Sequence, residues 1–183
     1  AILSTTALLA KAVVVSSGTN VEINPAVGII TPLEVVNDYD LYFGTLISPK
    51  VGDTVVIDFY TGSATGTATL VNRSISSHSA DSDAQNPGAG HISVTVPSGK
   101  SESNIGFTFP TSIALKNGDT TCGTVTDIGI VTNHGDGLFT YGGTFTVTAN
   151  GLEAGHCDGE GAITVIIDDT TRDYGTPTVA AIR

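Results

Sequence analysis

At 183 residues the chain can hold one domain with a proper core, and at that size staples are not obligatory. Seven Lys and Arg face 18 Asp and Glu, for a net charge of -11. Such a balance excludes a phosphate-backbone partner and disfavours an anionic membrane surface, since both require a positive footprint. Charged residues make up 14%, well below the roughly 25% of an average globular protein. With 22 Gly and abundant Thr and Val, the composition suits strands, where β-branched side chains pack on a pleated surface, and not solvated helices.

In chain order, the first segment runs Ala1-Ile2-Leu3-Ser4-Thr5-Thr6-Ala7-Leu8-Leu9-Ala10-Lys11-Ala12. It resembles the apolar end of a signal peptide with an Ala-x-Ala site, or else it is a genuine mature arm. It is too short to span a bilayer as a helix, and Ile2, Leu3, Leu8, Leu9, Val13 and Val15 are too apolar to trail freely in water. Short runs between turn signals follow, the pattern of a sandwich or barrel. Strands are predicted at Val13–Val15, Val21–Ile23, Val27–Ile30, Leu41–Leu46, Thr54–Tyr60 and Thr65–Val71. Residues 76–90 read as a loop of Ser, Asp, Asn, Pro and Gly. Strands resume at His91–Val96, Ile105–Phe109, Ile113–Leu115, Val125–Val131, Thr144–Ala149 and Ala162–Ile167. Pro110 suits an edge or a turn. Lys116-Asn117-Gly118-Asp119 and Asn150-Gly151 are tight turns. No repeat and no linker divides the chain. The domain reading is an arm over residues 1–16 followed by one β-sandwich domain over 17–183.

Cys122 and Cys157 form neither a Cys-x-x-Cys pair nor a zinc spacing. Both flank glycine-rich turns. A disulfide between them is expected, and it points to an oxidising, exported setting.

Several stretches resemble one family. They are Leu41-Tyr42-Phe43-Gly44-Thr45-Leu46, Gly52-Asp53-Thr54-Val55-Val56-Ile57, and Phe107-Thr108-Phe109-Pro110-Thr111-Ser112-Ile113-Ala114-Leu115. Tyr141-Gly142-Gly143-Thr144-Phe145-Thr146-Val147 is then answered by Gly161-Ala162-Ile163-Thr164-Val165-Ile166-Ile167. Their order resembles the bacterial DUF4402 family of exported all-β domains, and in general style it is similar to fimbrial pilin domains. The resemblance covers roughly residues 38 to 170. The cysteine pair departs from it, with Gly155-His156-Cys157-Asp158-Gly159-Glu160 lying where a plain Gly-rich turn is expected. The family brings no catalytic residues to transfer.

Chemistry is sparsely signalled. Cys122, His134, His156 and Cys157 are a conceivable Cys₂His₂ set, but neighbours such as His156 and Cys157 point to opposite faces of a strand. Asp81-Ser82-Asp83, Asp136-Gly137 and Asp158-Gly159-Glu160 are oxygen-rich without the spacing of a calcium loop. There is no Gly-x-Ser-x-Gly elbow, and Asp168-Asp169 diverge on a strand and do not form a glycosidase pair. Asn72-Arg73-Ser74 is a lone glycosylation sequon of the kind that chance supplies in a Ser-rich chain. No catalytic residue, metal ligand or cofactor is assigned.

The sequence therefore predicts an all-β, immunoglobulin-like or pilin-like β-sandwich with an extended apolar N-terminal arm, extracellular and at a cell surface, and not an enzyme. The leading expectation is a filament subunit whose arm completes a neighbour's sheet. Copies of itself are then the partner, with or without an assembly chaperone, and with neither nucleic acid nor membrane insertion. The competing expectation is a monomeric secreted surface or adhesin-like binding module.

Overall fold

A computed structural model describes residues 33–58, 63–75, 86–96, 101–167 and 178–182 of the chain. It is an all-β sandwich. The strands are β1 (Glu34–Tyr39), β2 (Thr54–Asp58), β3 (Ser63–Thr65), β4 (Gly90–Thr95), β5 (Ile105–Thr108), β6 (Ile113–Asn117), β7 (Thr120–Gly135), β8 (Leu138–Val147), β9 (Gly159–Ile167) and β10 (Thr178–Ile182). A 3-10 turn, Glu102–Asn104, precedes β5.

β8 organises the larger, antiparallel sheet. Along one edge it pairs with β7. Along the other it pairs first with β4, through residues 138–141, and then with β2, through residues 143–146. β1 extends the sheet from β4, β3 from β2 and β6 from β7, giving seven strands in all. Among the described residues the smaller sheet has three, in the order β10-β9-β5.

Register decides which side chains form the core, because directly paired residues share a face. Ile113 pairs with Val125, Val125 with Phe145, Phe145 with Val55, and Ile57 with Ala64. All six are buried. Farther along β8, Phe139 pairs with Ile92, and both are buried as well. The smaller sheet lays Ile163 and Val165 of β9 on this face, 1% and 0% exposed. Phe107 of β5 meets Phe139 with ring centroids 4.8 Å apart. Each such side chain contributes roughly 1.5 to 3 kcal/mol on burial.

Turn chemistry follows the residues. Asp136-Gly137 joins β7 to β8 with φ of 52° and 76°, the double positive φ of a type I′ hairpin. Gly118, at φ 58°, opens the two-residue turn between β6 and β7.

Four sequence expectations change. Leu41–Leu46 is not a strand: Gly44 sits at φ 82°, and only single bridges form, Tyr42 with Gly88 and Leu46 with Leu70. Leu41 and Phe43 are nonetheless core residues, so the apolar run reflects burial without a ladder. Thr65–Val71 contributes only the end of β3, because Gly66 turns the chain at φ 113°. β1 and β10 form where no strand is predicted. The expected strands at Val13–Val15, Val21–Ile23 and Val27–Ile30, and the arm itself, lie outside the described residues.

Candidate functional site

The two sheets are unequal. The inner face of the larger one is covered partly by β5 and β9 and partly by the irregular segment 40–49. Phe43 of that segment packs on Phe145, with centroids 5.5 Å apart. Between this segment and the 152–158 segment lies a cleft of about 790 Å³. Its floor is Leu115, Cys122 and Phe145 from the larger sheet. Tyr42, Phe43 and Leu46 line one wall, Leu152 and Cys157 the other. The floor residues keep 5% of their surface or less.

Cys122 and Cys157 are bonded to each other, with Cα atoms 6.2 Å apart. A bulge makes this possible. Leu115 pairs with Gly123 but Lys116 with Thr121, so Cys122 is an extra residue in β7. Bulges re-aim side chains, and here both Cys122 and Val125 are fully buried although three positions apart. The disulfide therefore ties one cleft wall to the floor. Two backbone bonds of 2.8 Å between Lys116 and Asp158 hold the same wall against β6.

The opposite wall hangs on backbone bonds. Tyr42 exchanges two with Gly88, of 2.9 and 2.8 Å, while Ile47 donates to Thr69 and Val71 to Thr45. At its root Asn37 Nδ2 donates to Asp40 Oδ1 over 2.8 Å. Behind Asp40 stands Tyr141, fully buried. Burial raises its phenol pKa well above the ordinary 10.0, the negative charge of Asp40 pushes the same way, and a hydrogen bond from the Leu41 backbone opposes both. Up to about pH 10 the phenol is neutral in both folded and unfolded chains. Above that the unfolded chain ionises first, so stability falls as pH rises toward the folded value. In an alkaline titration followed by phenolate absorbance, Tyr141 should ionise only as the fold is lost, and Tyr141→Phe should remove that late phase. An identical titration of the native chain and Tyr141→Phe at high pH would contradict this placement.

Three carboxylates line the cleft, Asp40, Glu153 and Asp158, together with His156. The Cys₂His₂ set is not assembled, since both sulfurs are spent in the disulfide and His134 lies at the β7–β8 hairpin against Thr140 Oγ1 at 3.3 Å. Among the described residues no group of three or more His, Cys, Asp and Glu is placed to hold a metal ion. Asp81, Asp83, Asp168 and Asp169 lie outside the described residues, as do Ile2, Leu3, Leu8, Leu9, Val13 and Val15. The cysteines are thus the part of the site that sequence reasoning reached. The 40–49 wall was missed as a site, and its only signal was an apolar run interrupted by Gly44. No protein-family model, curated protein or solved structure matches the chain.

Proposed function

We propose that the chain is a structural subunit of an extracellular filament, in which the apolar arm of one copy enters the cleft of the next. The three-stranded smaller sheet of the described residues carries this reading: among them, the inner face of the larger sheet is covered in part by an irregular segment, with a cleft along one side. An added strand gains main-chain hydrogen bonds there, and alternate side chains gain a groove. Six apolar arm residues supply on the order of 10 kcal/mol before ordering costs. Charge agrees as well. Lys11 is the one charged residue of positions 1–15, and the cleft carries Asp40, Glu153 and Asp158. Repeating such a head-to-tail contact does not close, so it makes a fibre. The resemblance to the DUF4402 family and to pilin domains supports the same reading.

A cleft of this volume also lies within the 300–1,000 Å³ or so typical of small-ligand pockets, which favours a monomeric binding module as the second reading. Cross-linking separates the two. A chain carrying Leu9→Cys and Ala154→Cys should give a ladder of covalent multimers on a non-reducing gel, whereas Leu9→Cys with Asp119→Cys, in the exposed β6–β7 turn, should not. A cross-linked monomer would place the arm in its own chain and leave the binding module. Equal ladders from both pairs would mean unspecific contact and would count against the cleft as acceptor.

A further inference from the structure

We propose that Asn72 is an acceptor for N-linked glycosylation on the folded protein. Asn72-Arg73-Ser74 is the only Asn-x-Ser/Thr triplet with a non-proline centre in the chain. Chance accounts for a sequon in the sequence, but it does not account for how this one is presented. All three residues are exposed in the irregular connection that follows Leu70. Arg73 turns its guanidinium back under the loop, where it donates to the carbonyls of Ala64 at 3.2 Å, Gly66 at 3.4 Å, and Ala68. The Ala64 N–H donates to the Arg73 carbonyl at 2.7 Å. The middle residue is thereby anchored to the body, and the two residues that a glycosyl transferase must read flank that anchor.

The acceptor side chain is also arranged for the reaction. The Ser74 N–H donates to Asn72 Oδ1 at 3.0 Å. A carboxamide nitrogen is a poor nucleophile because its lone pair is delocalised into the carbonyl. A hydrogen bond on the oxygen stabilises negative charge on the amide, so the nitrogen gives up its proton more readily. Nδ2 donates to Asn86 Oδ1 at 2.6 Å in an exposed contact, and a neutral bond of that kind costs only about 1 kcal/mol to exchange for another partner. The donor is an oligosaccharide carried on a polyprenyl diphosphate. Asn72 Nδ2 forms a bond to the anomeric carbon and loses one proton to a basic group of the transferase. The bond from that carbon to the diphosphate oxygen breaks, and the polyprenyl diphosphate leaves with the electron pair.

The test uses full-length folded protein made in a host without an oligosaccharyltransferase. It is incubated with a single-subunit oligosaccharyltransferase that reads Asn-x-Ser/Thr and with its lipid-diphosphate oligosaccharide, and intact mass is measured. A gain of one glycan on the native chain is expected, retained in Ser74→Thr and lost in Asn72→Gln. The peptide spanning residues 70–76 is the control. If the peptide is modified and the folded chain is not, the presentation argued above is wrong. If neither is modified, Arg73 makes the triplet an unusable acceptor, and the proposal falls equally.

Discussion

Gly90→Ala is expected to destabilise the fold by about 3 kcal/mol or more, at the upper end of what overpacking a core costs. Gly90 pairs with Tyr141 across β4 and β8, and the phenol ring lies over the glycine. A Cβ added there would stand 2.0 Å from Tyr141 Cζ and within 2.5 Å of two further ring carbons. The ring has nowhere to go: it is fully buried, and Phe109 stands against it with centroids 6.2 Å apart. Gly129 is the matched control, with nothing within 4 Å of an added Cβ, so Gly129→Ala should stay within about 0.5 kcal/mol. Combining Gly90→Ala with Tyr141→Leu should recover part of the loss, because residues in contact do not act additively. Denaturant unfolding measures all four chains. A Gly90→Ala loss under 1 kcal/mol would mean that the ring does not occupy this position.

Removal of the disulfide has an effect of comparable size. Cys122 and Cys157 are 35 residues apart, and closing a loop of that length withdraws about 4 kcal/mol of chain entropy from the unfolded state. For a chain of this size that corresponds to a fall in Tm of roughly 8 to 16 °C. The double variant Cys122→Ser/Cys157→Ser should show it by calorimetry, and so should the native chain under reductant. The loss should also be felt locally. Without the disulfide the 152–158 wall keeps only its Lys116–Asp158 backbone bonds to β6, so backbone amides at 152–157 should exchange with solvent faster than those of β8. A Tm unchanged by both treatments would mean that the denatured chain is already restrained where the disulfide acts.

These effects show what the sequence made legible. The alternation of Ile92 and Val94 in β4, and of Ile163 and Val165 in β9, identifies strands with one buried face. Asn117-Gly118-Asp119 identifies a hairpin, and the two cysteines identify their own pairing. Periodicity fails where burial comes without a ladder. Leu41 and Phe43 are buried core residues, yet Gly44 turns the backbone between single bridges. It fails again where strands are polar or rich in glycine. β1 carries Glu34, Asn37 and Asp38, and its pairing to β4 is a long-range contact that no local pattern announces. β8 begins at Leu138, not Thr144: Gly142 and Gly143 carry no side chain to mark an alternation, yet both lie buried in the sheet, Gly142 paired with Gly129 of β7 and Gly143 with Ile57 of β2. The cleft was illegible for a related reason. Its walls come from segments more than 100 residues apart, and the bulge that aims Cys122 at one of them is a feature of register alone.

The filament reading rests on the arm, so deletion of residues 1–15 tests it most directly. Full-length and truncated chains are compared by electron microscopy and sedimentation velocity, with and without a synthetic peptide of residues 1–15. Filaments or a ladder of multimers are predicted for the full chain. The truncated chain should be a monomer that binds the peptide, and excess peptide should cap growth of the full chain. A full-length chain that sediments as a uniform monomer at every concentration, together with a truncated chain that is merely less stable and takes up no peptide, would contradict the account.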